Sequence, residues 1–250
     1  MKKIEIMKKL LSIILVGFLI FPAIGQALNF DGGDDYVTMG NIAAIPTGNS
    51  QRTFSVWFYA DVFPTDTTRP ILGQADSVTA GRTFNVFAED NAVSVGMEGH
   101  RIITPKGALA VSTWYHVAII VPSGATQTSN VLVYINGSLQ TLATEAGTVR
   151  TLNTDTGDLF NIANSSVAGP NGFDGQITDA RVYNRALTPS EVKALYYGKY
   201  HSYNGLVGYW PLWGGSLPFM PDLSGRKNHG TAVGSPISIF RGPPIGRYRR

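Results

Sequence analysis

Residues 173–196 read FDGQITDARVYNRALTPSEVKALY, and the second half of this stretch predicts a short helix. Thr188 supplies an N-cap, Pro189 fits the first helical position, and Glu191 completes a capping box. One apolar stripe follows, and Gly198 ends the helix. A helix of this length is too short to be a domain. The core must therefore come from the residues around it.

Working outward from this stretch, the chain from residue 28 to residue 212 consists of short apolar runs with a period of two. Gly, Asn, Asp, Pro and Thr separate the runs, which is typical of an all-β protein. The runs Thr53–Val62 and Trp114–Val121 are apolar on both faces. We expect such runs to be central strands that are covered on both sides.

Two hairpins are predicted from the turns between neighbouring runs. Residues 83–88 and 92–97 flank the polar turn Glu89-Asp90-Asn91. Asn136-Gly137 separates two alternating runs and is the preferred pair of a type I′ turn. Many short strands with one short helix favour a two-sheet sandwich over a parallel α/β fold.

Five pieces of the chain, in order, resemble the successive strands of the laminin-G-like, concanavalin A-like jelly-roll family. They are Asn29–Val37 (NFDGGDDYV), Phe54–Phe58 (FSVWF), Thr113–Val117 (TWYHV), Val133–Gly137 (VYING) and Phe173–Tyr196. The last piece is the most specific, because it resembles the last core strand of that family and the short helix after it. The resemblance covers residues 28–200 and implies an all-β, two-sheet antiparallel jelly-roll sandwich with one short C-terminal helix.

Residues 1–27 have the order of a secretory signal peptide. Four Lys and one Glu lie within the first nine residues, and an almost wholly apolar run from Leu10 to Ile24 follows. This run is shorter than the roughly 20 residues of a membrane span, and Gly25-Gln26-Ala27 offers small residues for cleavage. We expect cleavage at Ala27 and a secreted or cell-surface protein. An uncleaved N-terminal anchor is the alternative, and it is the only membrane contact that we expect.

The formal charge of +3 belongs to the two ends of the chain. The signal accounts for this whole excess, and Arg241, Arg247, Arg249 and Arg250 crowd a basic tail at residues 241–250. The segment from Leu28 to Phe240 is therefore net acidic. A nucleic-acid-binding domain would spread basic residues over its folded face, so we expect no nucleic-acid partner.

Residues 201–240 depart from the usual layout of the family. Gly205–Leu212 and Asp222–Thr231 resemble the segment that commonly precedes the Phe-Asp-Gly opening, yet here they follow the helix. The segment either completes the same sandwich as a permuted edge strand or begins a truncated second copy. We favour the first alternative, because an orphan strand would expose Tyr209, Trp210 and Trp213 to water.

The sequence offers little for catalysis. It has no Cys, no Gly-x-Ser-x-Gly elbow, and four His in unrelated contexts, of which His116 lies inside a predicted strand and is expected to pack there. Glycosidases with this kind of fold need two acids flanking the sugar bond, but the central strands 53–60 and 113–121 carry none. We therefore expect no enzyme, and a glycan-active enzyme stays as an alternative.

Metal binding is the more open question. The resemblance implies weak calcium binding at the rim of the sandwich by loop Asp and Asn side chains, and the matching loops hold Asp76, Asn164 and Asn171. Asp31 and Asp174 each follow a Phe in a Phe-Asp-Gly triplet. They are weaker metal candidates, since Asp in a turn commonly accepts hydrogen bonds from backbone amides.

Our leading functional hypothesis is a secreted, non-catalytic module that binds carbohydrate or an extracellular protein through its rim loops, assisted by calcium. A structural surface or virion decoration protein, docked by the arginine-rich tail, is the alternative. Trp213, beside Gly214-Gly215, is the aromatic residue expected to be exposed for contact with a ligand. Trp57, Tyr59 and Trp114 lie in two-sided apolar strands and are expected to belong to the core.

Overall fold

The computed structural model describes residues 26–75, 83–97, 99–154, 159–164, 171–199, 202–213 and 217–243. Within these residues there are seventeen strands, one α-helix and one 3-10 helix, Thr128–Asn130. The strands are β1 Ala27–Asp31, β2 Tyr36–Asn41, β3 Arg52–Ala60, β4 Arg69–Ala75, β5 Phe84–Glu89, β6 Ala92–Met97, β7 His100–Ile103, β8 Trp114–Val121, β9 Leu132–Ile135, β10 Ser138–Leu139, β11 Ala143–Ala146, β12 Leu159–Ile162, β13 Asp174–Tyr183, β14 Leu206–Trp210, β15 Phe219–Met220, β16 Gly230–Val233 and β17 Ile237–Ile239. The α-helix, α1, is Pro189–Tyr196.

The strands form two antiparallel sheets. Among the described residues, sheet A has eight strands in the order β10-β9-β8-β3-β13-β1-β17, with β14 also paired to β13. Sheet B has nine, in the order β11-β7-β6-β5-β4-β12-β2-β16-β15. The predicted all-β, two-sheet jelly-roll sandwich is confirmed.

The core lies between the two sheets and is built by alternation along each strand. In β3, Phe54, Val56 and Phe58 point inward and are fully buried. Phe54 meets Phe84 of β5 and Phe160 of β12 edge to face, with ring centroids 5.2 and 5.5 Å apart. As predicted, β3 and β8 are central strands of sheet A, and both are buried on both faces along most of their length.

Helix α1 begins and packs as the sequence predicts. The Thr188 side chain accepts a hydrogen bond from the Glu191 backbone amide, and the Glu191 carboxylate accepts one in return from the Thr188 amide. The buried stripe Val192 and Leu195 rests on the outer face of sheet A, against Tyr183 and Ile120. None of the helices in the described part of the chain has the length and apolar character that a membrane span needs.

Both predicted hairpins are present. Asn136 and Gly137 connect β9 to β10 with φ of 51° and 77°, the positive values that a type I′ turn requires. Asp90 and Asn91 connect β5 to β6 in the same way, with φ of 49° and 53°. Asn tolerates this left-handed backbone better than most residues, which explains its place in both turns.

The C-terminal segment adds strands to both sheets. In sheet A, β14 pairs with β13 and β17 pairs with β1, while in sheet B β16 pairs with β2. Trp210 of β14 is fully buried and stacks on Phe160 of sheet B, with ring centroids 5.3 Å apart.

Strand β1 itself begins at Ala27, which is buried and pairs with Ile239. Cleavage of the signal and docking by the tail stay predictions, since residues 1–25 and 244–250 lie outside the described residues.

Candidate functional site

The structure brings two of the three predicted rim residues to one end of the sandwich. The Phe173 amide donates to the Ala163 carbonyl at 2.8 Å, which joins the segments that carry Asn164 and Asn171. The third residue, Asp76, lies outside the described residues. Ala75 before it pairs with Leu159, at the end of β12 opposite to Asn164. Asn164 and Asn171 therefore share an end of the sandwich that the last residue of β4 does not reach.

Asp31 and Asp174 lie at that same end as register partners of β1 and β13. Asp31 accepts a hydrogen bond from the Gly33 amide at 2.9 Å, which is the turn role expected for it. Burial raises the pKa of Asp174, and the nearby Asp61 and Asp31 raise it further, while the Arg69 guanidinium opposes this shift. These carboxylates are partly shielded from water and repel one another, which disfavours the charged form of Asp174.

We call Asp31, Asp34, Asp35, Asp61 and Asp174 the acidic rim. Carboxylate oxygens of Asp31, Asp34 and Asp35 lie within 4.8 Å of one another. Such an oxygen set suits Ca²⁺ in its chemistry. Two of these side chains already accept backbone hydrogen bonds, Asp31 from Gly33 and Asp35 from Ser235 at 2.6 Å. The turns they hold therefore explain their position, and calcium binding stays a prediction.

The aromatic candidates divide between core and surface. Trp57 is buried and stacks on Tyr196 of α1, with ring centroids 5.6 Å apart and planes at 22°. Tyr59 and Trp114 form a half-buried pair on the outer face of sheet A, with centroids 5.5 Å apart, so the prediction that they belong to the core is wrong. Trp213 is 44% exposed, so its predicted exposure is confirmed.

His116 is a packed core residue. Its Nε2 atom lies 2.9 Å from the Ser55 hydroxyl, and its ring meets Trp57 at a centroid distance of 5.4 Å. Complete burial, together with the positive charge of Arg181, lowers the pKa of His116 to about 3. The imidazole is therefore neutral at physiological pH and is shielded from any substrate.

A feature that the sequence did not indicate lies on the outer face of sheet B. One row of residues crosses five strands in register there. Its members are Asn161 of β12, Gly73 of β4, Asn85 of β5, Gly96 of β6 and Arg101 of β7. Their strand neighbours, such as Val86 and Val95, point into the core, so the row itself faces outward.

Three polar side chains of this face are buried, and two of them hold an oxygen atom without a hydrogen-bond partner. Asn85 is 4% exposed, Asn161 is 5% exposed and Ser94 of β6 is fully buried. The Oδ1 atoms of both Asn residues have no hydrogen-bond partner, whereas the Ser94 hydroxyl is close enough to the Glu89 carboxylate to lower the pKa of that group. We call Asn85, Ser94 and Asn161 the polar floor. Buried polar atoms are nearly always paired in folded proteins, so the unpaired oxygens are unusual. They are almost fully buried, and a ligand could bond them only after the side chains around them move aside.

Two glycines shape the polar floor. A Cβ atom at Gly73 would lie 2.1 Å from Asn85 Oδ1, so the Asn85 side chain lies across Gly73 towards Asn161. A Cβ atom at Gly96 would lie 3.0 Å from Phe87, so the half-buried Phe87 ring lies over Gly96. The face thus combines amide groups with one accessible aromatic ring, a combination that suits a sugar.

The charges beside the polar floor are paired. Glu89 of β5 is buried, and its Oε1 atom lies 3.1 Å from Arg101 Nε. Burial raises the pKa of Glu89, while Ser94 and Arg101 act in the opposite direction. Glu145 and Asp90 are both held by Lys106, each at 2.9 Å. The carboxylates of Glu89, Asp90 and Glu145 lie within 4.8 Å of one another, and the two cations Arg101 and Lys106 pair with these three groups.

A family model of the concanavalin A-like lectin/glucanases superfamily, of the laminin-G type, matches residues 31–193. The match spans more than half of the chain, so the chain belongs to this superfamily. The predicted laminin-G-like family is thereby confirmed. No curated protein matches the chain significantly.

Solved structures show the same fold at low sequence identity. A protein from Bacteroides ovatus, provisionally described as carbohydrate-binding, gives a TM-score of 0.65 at 20% identity, with 90% of this chain and 62% of that chain covered. The present chain thus spans less than two thirds of that protein. The CBM40 module of a Ruminococcus gnavus sialidase gives a TM-score of 0.51 at 14% identity, with 69% of this chain and 98% of that chain covered.

Proposed function

We propose that this protein is an exported, non-catalytic carbohydrate-binding module that takes its glycan on the outer face of sheet B. The observation that carries the proposal is the polar floor. Asn85 and Asn161 hold buried oxygen atoms without partners, on a face that none of the described helices covers. An unpaired buried polar group costs about 1–3 kcal/mol, and a bound hydroxyl group would recover that cost.

The chemistry of this face matches a sugar ring. Sugar hydroxyl groups donate hydrogen bonds to amide and hydroxyl oxygens, while the apolar side of the ring stacks on an aromatic side chain. The polar floor offers the acceptors, and Phe87 over Gly96 offers the aromatic surface beside them. The floor is carried on paired strands rather than loops, and this rigidity lowers the entropy lost on binding.

We propose that the protein is not a glycosidase because the carboxylates beside the polar floor are held in ion pairs. Glycoside hydrolysis needs two carboxyl groups that are free to act on opposite sides of the sugar bond. Beside the polar floor, the described acids are Glu89, Asp90 and Glu145, and each is paired to Arg101 or Lys106. We expect incubation with a polysaccharide panel to release no reducing ends.

The comparisons support this proposal without naming a ligand. The Bacteroides ovatus protein is provisionally described as carbohydrate-binding, and the Ruminococcus gnavus module has been solved with alpha2,3 sialyllactose, at a TM-score of 0.50 and 14% identity. The fold is thus one on which glycan sites have been built. Export rests on the predicted signal at residues 1–27, and N-terminal sequencing of the released protein would test it.

The proposal is tested by glycan binding to Asn85→Ala and Asn161→Ala, measured on an array and then by calorimetry. We expect each variant to weaken binding about tenfold, which corresponds to the loss of one hydrogen bond of about 1.4 kcal/mol. Gln176→Ala is the matched control, because Gln176 is also a buried amide with an unpartnered oxygen but belongs to sheet A. This control should bind as the natural protein does.

The same array, run in calcium and in EDTA, separates the polar floor from the rim loops. Binding on the polar floor should be equal in both buffers, because its ligand groups are amides and a hydroxyl. Binding that disappears in EDTA and is insensitive to Asn85→Ala would move the site to the acidic rim, Asn164 and Asn171. An array without any signal would contradict carbohydrate binding itself.

A further inference from the structure

The sequence contains two bonds at which a signal peptidase could cut. Such an enzyme needs small residues at the first and third positions before the bond that it breaks. Gly25 and Ala27 meet this need for cleavage after Ala27, while Ala23 and Gly25 meet it for cleavage after Gly25. The small-residue pattern therefore allows the mature chain to begin at Gln26 or at Leu28.

The folded domain uses both residues that lie between these two bonds. Ala27 is fully buried in β1 and pairs with Ile239 of β17. The Gln26 carbonyl accepts a hydrogen bond from the Thr178 hydroxyl at 2.8 Å. The same hydroxyl lies 2.7 Å from the carbonyl of Pro211, which follows β14, so this contact joins the start of β1 to the C-terminal segment. Gln26 and Ala27 are therefore part of the sandwich.

Cleavage after Ala27 would place a charge inside sheet A. The mature chain would then begin at Leu28, which is fully buried and lies between Ile177 of β13 and Ser238 of β17. Its new amino group would be mostly protonated at neutral pH, because the usual pKa of such a group is about 7.7–8.0. Taking a charge out of water is costly. The other cleavage would place the amino group on Gln26, which is only half-buried and precedes β1.

We propose that the signal is removed between Gly25 and Gln26, so that the mature protein keeps the whole of β1. This processing site rests on the proposed export. Hydrolysis of the bond leaves a carboxylate on Gly25 and an amino group on Gln26. That amino group can attack the amide carbon of its own side chain, which releases ammonia and forms an uncharged pyroglutamate ring. Both forms of Gln26 keep the backbone carbonyl that Thr178 bonds.

The test is the intact mass of the protein recovered from the medium and the surface of cells that express the full chain, together with mass spectrometry of its N-terminal peptide. We expect the mature chain to begin at Gln26, with a free or cyclised N-terminus. A mature chain that begins at Leu28 overturns the inference and leaves export intact. A chain that keeps residues 1–25 contradicts the proposed export and the inference with it.

Two matched substitutions separate the two bonds, because each replaces a small residue that only one cleavage requires. Ala23→Phe removes the small residue three positions before the Gly25–Gln26 bond, so we expect loss of the chain that begins at Gln26. Ala27→Val removes the small residue directly before Leu28, and the mature chain should still begin at Gln26. The reverse pattern would overturn the inference. Because the signal is removed as the chain is exported, these masses do not depend on how stably each variant folds.

Discussion

At the scale of single residues, His116 shows how burial changes acid–base behaviour. Its pKa is lowered to about 3 by burial and by Arg181, so the folded protein keeps the ring neutral over most of the acidic range. An unfolded chain takes up the proton near the ordinary value of about 6.5. The contribution of His116 to the free energy of unfolding is therefore fully present above about pH 6.5. It is lost progressively as the pH drops from there towards 3.

We predict that His116→Gln removes this acid sensitivity. Gln cannot titrate but can still bond the Ser55 hydroxyl, which lies 2.9 Å from the natural ring. The free energy of unfolding, measured in urea between about pH 7 and pH 5, should fall more steeply in the natural protein, by up to about 1.4 kcal/mol per pH unit. Parallel pH profiles for the two proteins would show that the ring takes up a proton in the folded state.

At the scale of elements, the β9–β10 hairpin and helix α1 fit together through a glycine. Gly137 has φ of 77°, and a Cβ atom there would lie 3.3 Å from Lys193 Cα and 3.5 Å from the Tyr196 ring. Gly124 has φ of 78° but has nothing within 4 Å of the same position. The two glycines therefore share a backbone requirement and differ only in packing.

We predict that Gly137→Ala is more damaging than Gly124→Ala. Gly124→Ala should cost about 1 kcal/mol, the usual cost of a left-handed backbone in a residue other than glycine. Gly137→Ala should cost at least about 1 kcal/mol more, because the new methyl group pushes against the backbone of α1. Urea unfolding of both variants measures the difference. Equal losses would mean that α1 moves away freely and that its packing on the hairpin contributes little.

At the scale of the whole molecule, the sequence predicted the layers but not the surface that carries the candidate site. Alternation within Thr53–Val62, the Asn136-Gly137 turn and the Thr188 cap are local signals, so the strands, hairpin and helix follow from them. The polar floor depends on which strands are neighbours. Asn85 and Asn161 are 76 positions apart in sequence and share one row of the sheet because β4, with Gly73, lies between β5 and β12.

The arrangement of the predicted rim loops depends on strand direction in a similar way. Asn164 and Asn171 are close in sequence, and one backbone hydrogen bond brings their segments together. Whether the chain after β4 reaches the same end depends on the direction of β4, and Ala75 pairs with Leu159 at the other end of β12. Loop composition indicates polar residues but carries no information on strand direction.

The role of the C-terminal segment is also a property of the whole molecule. Two tryptophans in this segment, three positions apart, have opposite environments. Trp210 is fully buried, stacks on Phe160 of sheet B, and donates its indole N–H to the Asn228 carbonyl at 2.7 Å. Trp213 is 44% exposed. If the segment completes the sandwich, Trp210 holds the two sheets together. If it were the start of a second copy, neither residue would matter for the first domain.

We predict that Trp210→Ala lowers the free energy of unfolding of the entire domain by about 3–5 kcal/mol, because it leaves a large cavity between the sheets. Trp213→Ala, made in the same segment and from the same residue, should change it by no more than about 0.5 kcal/mol. Fluorescence of Trp57 and Trp114, which report on sheet A, should show one unfolding transition that shifts only in the Trp210 variant. An unshifted transition in that variant would make the segment a separate unit, and the sandwich would then be complete without it.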